Sequence, residues 1–176
     1  MEKITTKDYN GNLATQDSLS KVRAIDTAGN DILVSSGIIA ASGGCGTLKG
    51  DLEQDKWYRI AIGGIGSDIS TAIINIGKYY NNGTPTSQLF YVSACGFGIG
   101  RTVIQLAKSG YNSISKIRII HKASTTERVM LDIYVASTRS NTFLLSYSNN
   151  ISFSFQKFEE VSADIPDGYS VNEFTF

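Results

Sequence analysis

The chain is poor in the residues that most often carry chemistry. Its 176 residues include one histidine, one tryptophan, two cysteines and two prolines, and 16 Lys and Arg are matched by 16 Asp and Glu. A net charge of zero leaves no basic excess to neutralise a run of phosphates or an anionic bilayer, which counts against nucleic acid and membranes as partners. No apolar run approaches the roughly 20 residues of a membrane-spanning helix, and the N-terminal MEKITTKDYNGN lacks the apolar core of a secretion signal. No CxxC pair and no second histidine are present to complete a zinc set. Cys45 and Cys95 therefore read as ordinary thiols, with a disulfide as the alternative.

What remains is rich in Ser, Thr, Asn and Gly, because charged residues make up only 18% of the chain and hydrophobic ones 41%. That balance suits strands joined by polar turns. Residues 1–50 are read as an N-terminal attachment and oligomerisation arm. Within it, 18–26 and 30–40 are candidate short strands around the turn signal Ala28-Gly29-Asn30-Asp31. The run VSSGIIAASGGCGTLKG (34–50) is broken by glycine and reads as a joint.

Residues 51–176 form a second region, the expected head domain. Candidate strands cover 56–63, 70–77, 87–94, 100–107, 115–121, 128–136, 141–147 and 151–158, with a possible terminal strand at 170–176. The turn clusters between them are 81–87, 94–100, 109–113, 137–141 and 146–150. Val129, Leu131, Ile133 and Val135 alternate with Arg128, Met130, Asp132 and Tyr134, the period of a half-buried strand. Val103, Gln105 and Ala107 against Ile104 and Leu106 are mixed, which predicts cover on both sides. The expected architecture is all-β, an antiparallel two-sheet sandwich of jelly-roll type preceded by an extended N-terminal arm. An immunoglobulin-like arrangement is disfavoured because Cys45 and Cys95 do not bracket Trp57 with the required spacing. Pro85 and Pro166 both fall outside the strands, as ladder hydrogen bonding requires.

No catalytic constellation is assembled by the sequence. His121 ends a strand and has no signature nucleophile to serve. Glu159, Glu160, Asp164 and Asp167 read as a solvated turn in place of a glycosidase pair. Gly96, Gly98 and Gly100 before Arg101 resemble a phosphate loop only in their glycines, since no lysine or helix follows. Asp8-Tyr9-Asn10-Gly11-Asn12 alternates oxygen ligands but lacks the closing acid of a calcium loop. Asn82-Gly83-Thr84 and Asn150-Ile151-Ser152 match the glycosylation pattern, which matters only in a secreted eukaryotic protein. No cofactor, metal or enzymatic activity is expected. Aromatics beside polar turns suggest glycan contacts at Tyr79, Tyr80, Asn82, Tyr111, Tyr147 and Asn149, because a ring face with neighbouring amides can hold a sugar. The plainer alternative is strand-end tyrosines with the ring inside and the hydroxyl in water.

Lys56-Trp57-Tyr58-Arg59-Ile60-Ala61, then Lys116-Ile117-Arg118-Ile119-Ile120 and Leu131-Asp132-Ile133-Tyr134-Val135, resemble the head domains of bacteriophage fibre and appendage proteins over about residues 51–176. The resemblance implies a homotrimeric virion protein, assembled in the host bacterial cytoplasm, anchored to capsid or tail proteins by its N-terminal arm and displaying a β-sandwich head toward host glycans. The arm shows no collagen repeat, heptads or β-helix period, so a short head fibre or tail appendage is expected over a long shaft. A free carbohydrate-binding module or lectin is the alternative.

Overall fold

A computed structural model describes residues 21–25, 27–35, 44–78, 86–97, 100–136 and 142–176. The chain divides into two compact units, residues 1–40 and 41–176. In the first, β1 (Lys21–Ile25) and β2 (Asp31–Ser35) form an antiparallel hairpin. Gly29 takes φ +86° in its turn, a conformation that costs glycine nothing.

The second unit is an all-β sandwich. Its ten strands are β3 (Gly46–Asp51), β4 (Trp57–Ile65), β5 (Ser70–Lys78), β6 (Thr86–Ala94), β7 (Thr102–Ser109), β8 (Ile114–His121), β9 (Arg128–Val135), β10 (Thr142–Ile151), β11 (Ser154–Val161) and β12 (Ser170–Thr175). They make two five-stranded antiparallel sheets: sheet 1, ordered β3-β10-β5-β6-β7, and sheet 2, ordered β11-β4-β9-β8-β12. The pairs β3·β10 and β4·β9 join strands far apart in the sequence, one pair nested within the other. Between them run a meander, β5-β6-β7, and a hairpin, β8-β9.

The core lies where the inner faces meet. Sheet 1 contributes Ile74, Ile76, Phe90, Val92, Phe143 and Leu145, and sheet 2 contributes Ile60, Ile117, Ile119, Leu131 and Ile133, each at most 2% exposed. Full burial of one such side chain contributes about 1.5–3 kcal/mol before chain entropy is counted. The expected alternation in β9 is present, with Val129, Leu131, Ile133 and Val135 in the core. Where the chain leaves sheet 1 for sheet 2 after β7, the buried Gln88 stands in for missing ladder partners. Its Oε1 accepts the Ser113 and Ile114 N–H groups at 2.9 and 2.8 Å, and its Nε2 donates to the Ile114 carbonyl at 2.9 Å.

Three expectations need correction. The glycine-rich run is no joint over Gly46–Asp51: that stretch is β3, which pairs with β10 and belongs to the sandwich unit, residues 41–176. Its glycines admit aromatic rings. A Cβ on Gly46 would stand 2.8 Å from a Tyr147 ring carbon, and one on Gly50 2.8 Å from Phe158. Residues 146–150, expected as a turn, continue β10, because Tyr147 is paired to both Gly46 and Ile74. Asn149 takes φ 50° in a bulge instead, and reversal waits until Ser152 at φ 61°. β7 is not covered on both sides. It is the edge of sheet 1, a bulge at Leu106 shifts its register, and Ile104 and Leu106 are about half exposed.

Candidate functional site

Sheet 2 carries charge across its outer face. The register aligns Glu173, Arg118, Asp132, Arg59 and Glu159 in one row over all five strands, with signs alternating. At its centre the fully buried Asp132 carboxylate accepts Arg59 Nε and Nη2 at 2.9 and 3.3 Å and Arg118 Nε at 3.0 Å. The Arg118 guanidinium lies 4.2 Å above the Trp57 ring. Its remaining donors reach the Ser162 and Ala163 carbonyls at 2.7 and 2.8 Å.

Those carbonyls begin a strap. β11 and β12 are the opposite edges of sheet 2, so residues 162–169 must cross from one to the other, and Arg118 fixes the crossing to the outer face. At its far end the Tyr169 hydroxyl donates to Glu127 at 2.6 Å, which pushes the phenol above its ordinary value. Beneath the strap Asp132 and Ile120 are fully buried and Trp57 nearly so, although all three lie on the sheet's outward register. The Asp132 carboxylate and the Arg118 guanidinium are thus engaged within the fold. The chemistry is structural: Arg118 Nε, Nη1 and Nη2 tie carboxylate, sheet and strap together.

Sheet 1 has the opposite outer face. Its successive rows read Thr71-Ser93-Thr102, then Ser148-Ile73-Tyr91-Ile104, then Ser146-Asn75-Leu89-Ala107, then Leu144-Gly77-Ser87-Ser109. No charged residue appears in them. Lys49 and Asp51 stand at the β3 margin. Ile104 and Leu144 are 48% and 47% exposed, and Ile73, Leu89 and Tyr91 are half-buried among them. The signal for this face is present in the sequence: from Ile69 to Ala107 the only charged residues are Lys78 and Arg101.

Among the described residues, the proposed glycan contacts Tyr111, Tyr147 and Asn149 are not brought into one place. Tyr79, Tyr80 and Asn82 lie outside the described residues, as do Pro85, Asn82-Gly83-Thr84 and Asp8–Asn12. Tyr111 is half-buried in the β7–β8 connection, its ring 5.8 Å from Lys78 Nζ, which is itself 5.5 Å from the Phe143 ring. Asn149 lies six residues further along the same strand as Phe143, about 20 Å away at strand spacing. Tyr111 and Asn149 thus belong to opposite ends of the sandwich. Tyr147 stacks on Phe155 with ring centroids 3.9 Å apart and planes within 8°, so that ring face is taken by protein.

The remaining motifs are accounted for locally. Arg101 donates to the Cys95 and Gly96 carbonyls at 2.9 and 2.7 Å, and the Gly96 and Phe97 N–H groups both go to the Gly66 carbonyl. Those N–H groups and the Arg101 guanidinium are therefore engaged within the protein, while Gly98 and Ile99 lie outside the described residues. Partial burial, and secondly the Arg101 charge, hold His121 below the ordinary histidine value, against a hydrogen bond with Asn172. Asn150 clasps Phe153 through both ends of its amide, at 2.7 and 3.1 Å. Cys45 and Cys95 are not joined in a disulfide. They sit beside β3 and β6, three strand spacings or about 14 Å apart, beyond the reach of a disulfide.

Compared with known proteins, the chain matches no family model, no curated protein and no solved structure.

Proposed function

We propose that this chain is a non-catalytic structural module: a short homotrimeric phage fibre or appendage, anchored to the virion by its N-terminal unit and displaying the sandwich as a head toward host glycans. The observation that carries this reading is the division of the chain into two compact units. The first unit, whose described residues form a two-stranded hairpin, precedes a sandwich that holds its own core. A two-stranded hairpin is marginal in water and needs neighbours, whereas ten strands around one core do not. Ile32 and Leu33, consecutive in β2 and so on opposite faces of the hairpin, are 39% and 68% exposed. Such a unit suits insertion between chains.

The test is the solution mass of the full chain together with its presence in purified particles. Light scattering is expected to give about three times the 19.1 kDa chain mass. Mass spectrometry of virions from the phage encoding it is expected to find the chain. A clean monomer at micromolar concentration, or particles lacking the chain, contradicts the proposal.

A further inference from the structure

We propose that the uncharged outer face of sheet 1 is the surface through which copies of this chain pack against one another. The inference rests on the assembly reading above, but not on where the assembly resides.

About a quarter to a third of a soluble domain's surface is ordinarily charged, and interface centres are where that charge is depleted. Here four adjacent strands turn outward without one charged side chain, in a chain that is 18% charged overall. The same molecule places five charged residues in a single row of its other sheet, so the depletion belongs to this face and not to the composition.

The size approaches that of a stable contact. Four strands at about 4.8 Å spacing and eight residues at about 3.3 Å rise give a plane of roughly 19 by 26 Å. That is on the order of 500 Å² before side-chain relief is counted, against about 800 Å² per partner in a standard stable interface.

The chemistry selects the occupant. A charged polymer would find no counter-charge on these rows. A neutral sugar would find one ring, Tyr91, hemmed between the branched aliphatics Ile73 and Ile104 on the neighbouring strands, and stacking needs an open ring face. Branched aliphatics among Ser, Thr and Asn pack best against another protein surface of the same kind. A second copy supplies one, and neither the face nor the chain, with 16 charges of each sign, opposes its approach.

The experiment measures the mass of the full chain against concentration by sedimentation, for the native sequence and three variants. Asn75→Asp changes the side chain almost isosterically and adds one charge at the centre of the face. Ile104→Glu adds a larger one, and Ser67→Glu places the same charge on the exposed β4–β5 turn as a control. Near-ultraviolet circular dichroism confirms that each variant is folded. Association is expected in the native chain and in Ser67→Glu, weakened at least about tenfold in Asn75→Asp and abolished in Ile104→Glu, because an unpaired charge would be buried. An oligomer that persists unchanged in folded Asn75→Asp and Ile104→Glu overturns the face and leaves the assembly reading standing. A native chain that is monomeric throughout overturns the assembly reading itself. Should Ile104→Glu prove unfolded, Asn75→Asp alone decides the outcome.

Discussion

Across the middle of sheet 2 the outward residues read Glu173, Arg118, Asp132, Arg59, Glu159, whereas a comparable row of sheet 1 reads Thr47, Ser146, Asn75, Leu89, Ala107. Both sheets send the same kind of residue inward, so the contrast is confined to their outer faces. The first row can afford a buried aspartate because the chain returns over it: the strap supplies carbonyls to Arg118, Trp57 supplies a ring face, and two guanidiniums share one carboxylate. Burying ions without such completion costs several kcal/mol each. The second row has no ionic partners and carries no ions. One face is finished by its own chain, and the other is composed as though something apolar will finish it.

The largest expected effect comes from breaking the finished face. Asp132→Ala leaves Arg59 and Arg118 facing each other beneath the strap and is expected to cost about 3–5 kcal/mol in urea unfolding. A loss under about 1 kcal/mol would show that the row does not hold the strap. Next is the polar residue on the inner side of sheet 1. Gln88→Leu strands the Ser113 and Ile114 N–H groups and is expected to cost about 1–3 kcal/mol by the same measurement. On the outer side of sheet 1 the expectation reverses. In a dilute, monomeric sample, Asn75→Asp is expected to move stability by no more than about 0.5 kcal/mol, because the residue is exposed and makes no core contact. A larger loss would mean that the face is already covered within the chain.

The smallest effect is the pH dependence of His121 on β8, beside the β12 edge of sheet 2. Its folded value is lowered from 6.5, so on acidification the unfolded chain takes up the proton first. The contribution is complete above about pH 6.5 and is lost as pH falls through the lower folded value. His121→Asn is expected to flatten that part of the stability curve. An unchanged slope would assign it to other groups.

Most of the sandwich was legible because its strands keep a period of two and its turns carry Gly and Asn. The strand runs at 70–77, 87–94, 115–121 and 128–136 reappear within a residue as β5, β6, β8 and β9. β3 was not legible, since Gly46 and Gly50 look like breakers until Tyr147 and Phe158 are seen lying over them. Nor was the exposed side of β7, because a bulge reassigns faces in a way that alternation cannot register. The charged row was hidden for a different reason. Arg59, Arg118, Asp132, Glu159 and Glu173 come from five strands, and only the sheet order makes them neighbours. The glycan candidates rest on tyrosines beside turns, a local signal, while the separation of Tyr111 and Asn149 to opposite ends of the sandwich is a property of strand length and pairing.

The contrast between the two faces is tested most directly by thiol labelling at one position on each. In a chain carrying Cys45→Ser and Cys95→Ser, a cysteine is placed by Ser93→Cys on the outer face of sheet 1 or by Ile120→Cys at the fully buried position beneath the strap of sheet 2, and labelling rates are followed as concentration is raised. The rate at position 93 is expected to be fast in dilute solution and to fall as copies associate, while the rate at position 120 stays slow at every concentration. A rate at position 93 that does not depend on concentration, in samples whose mass shows association, would contradict the account.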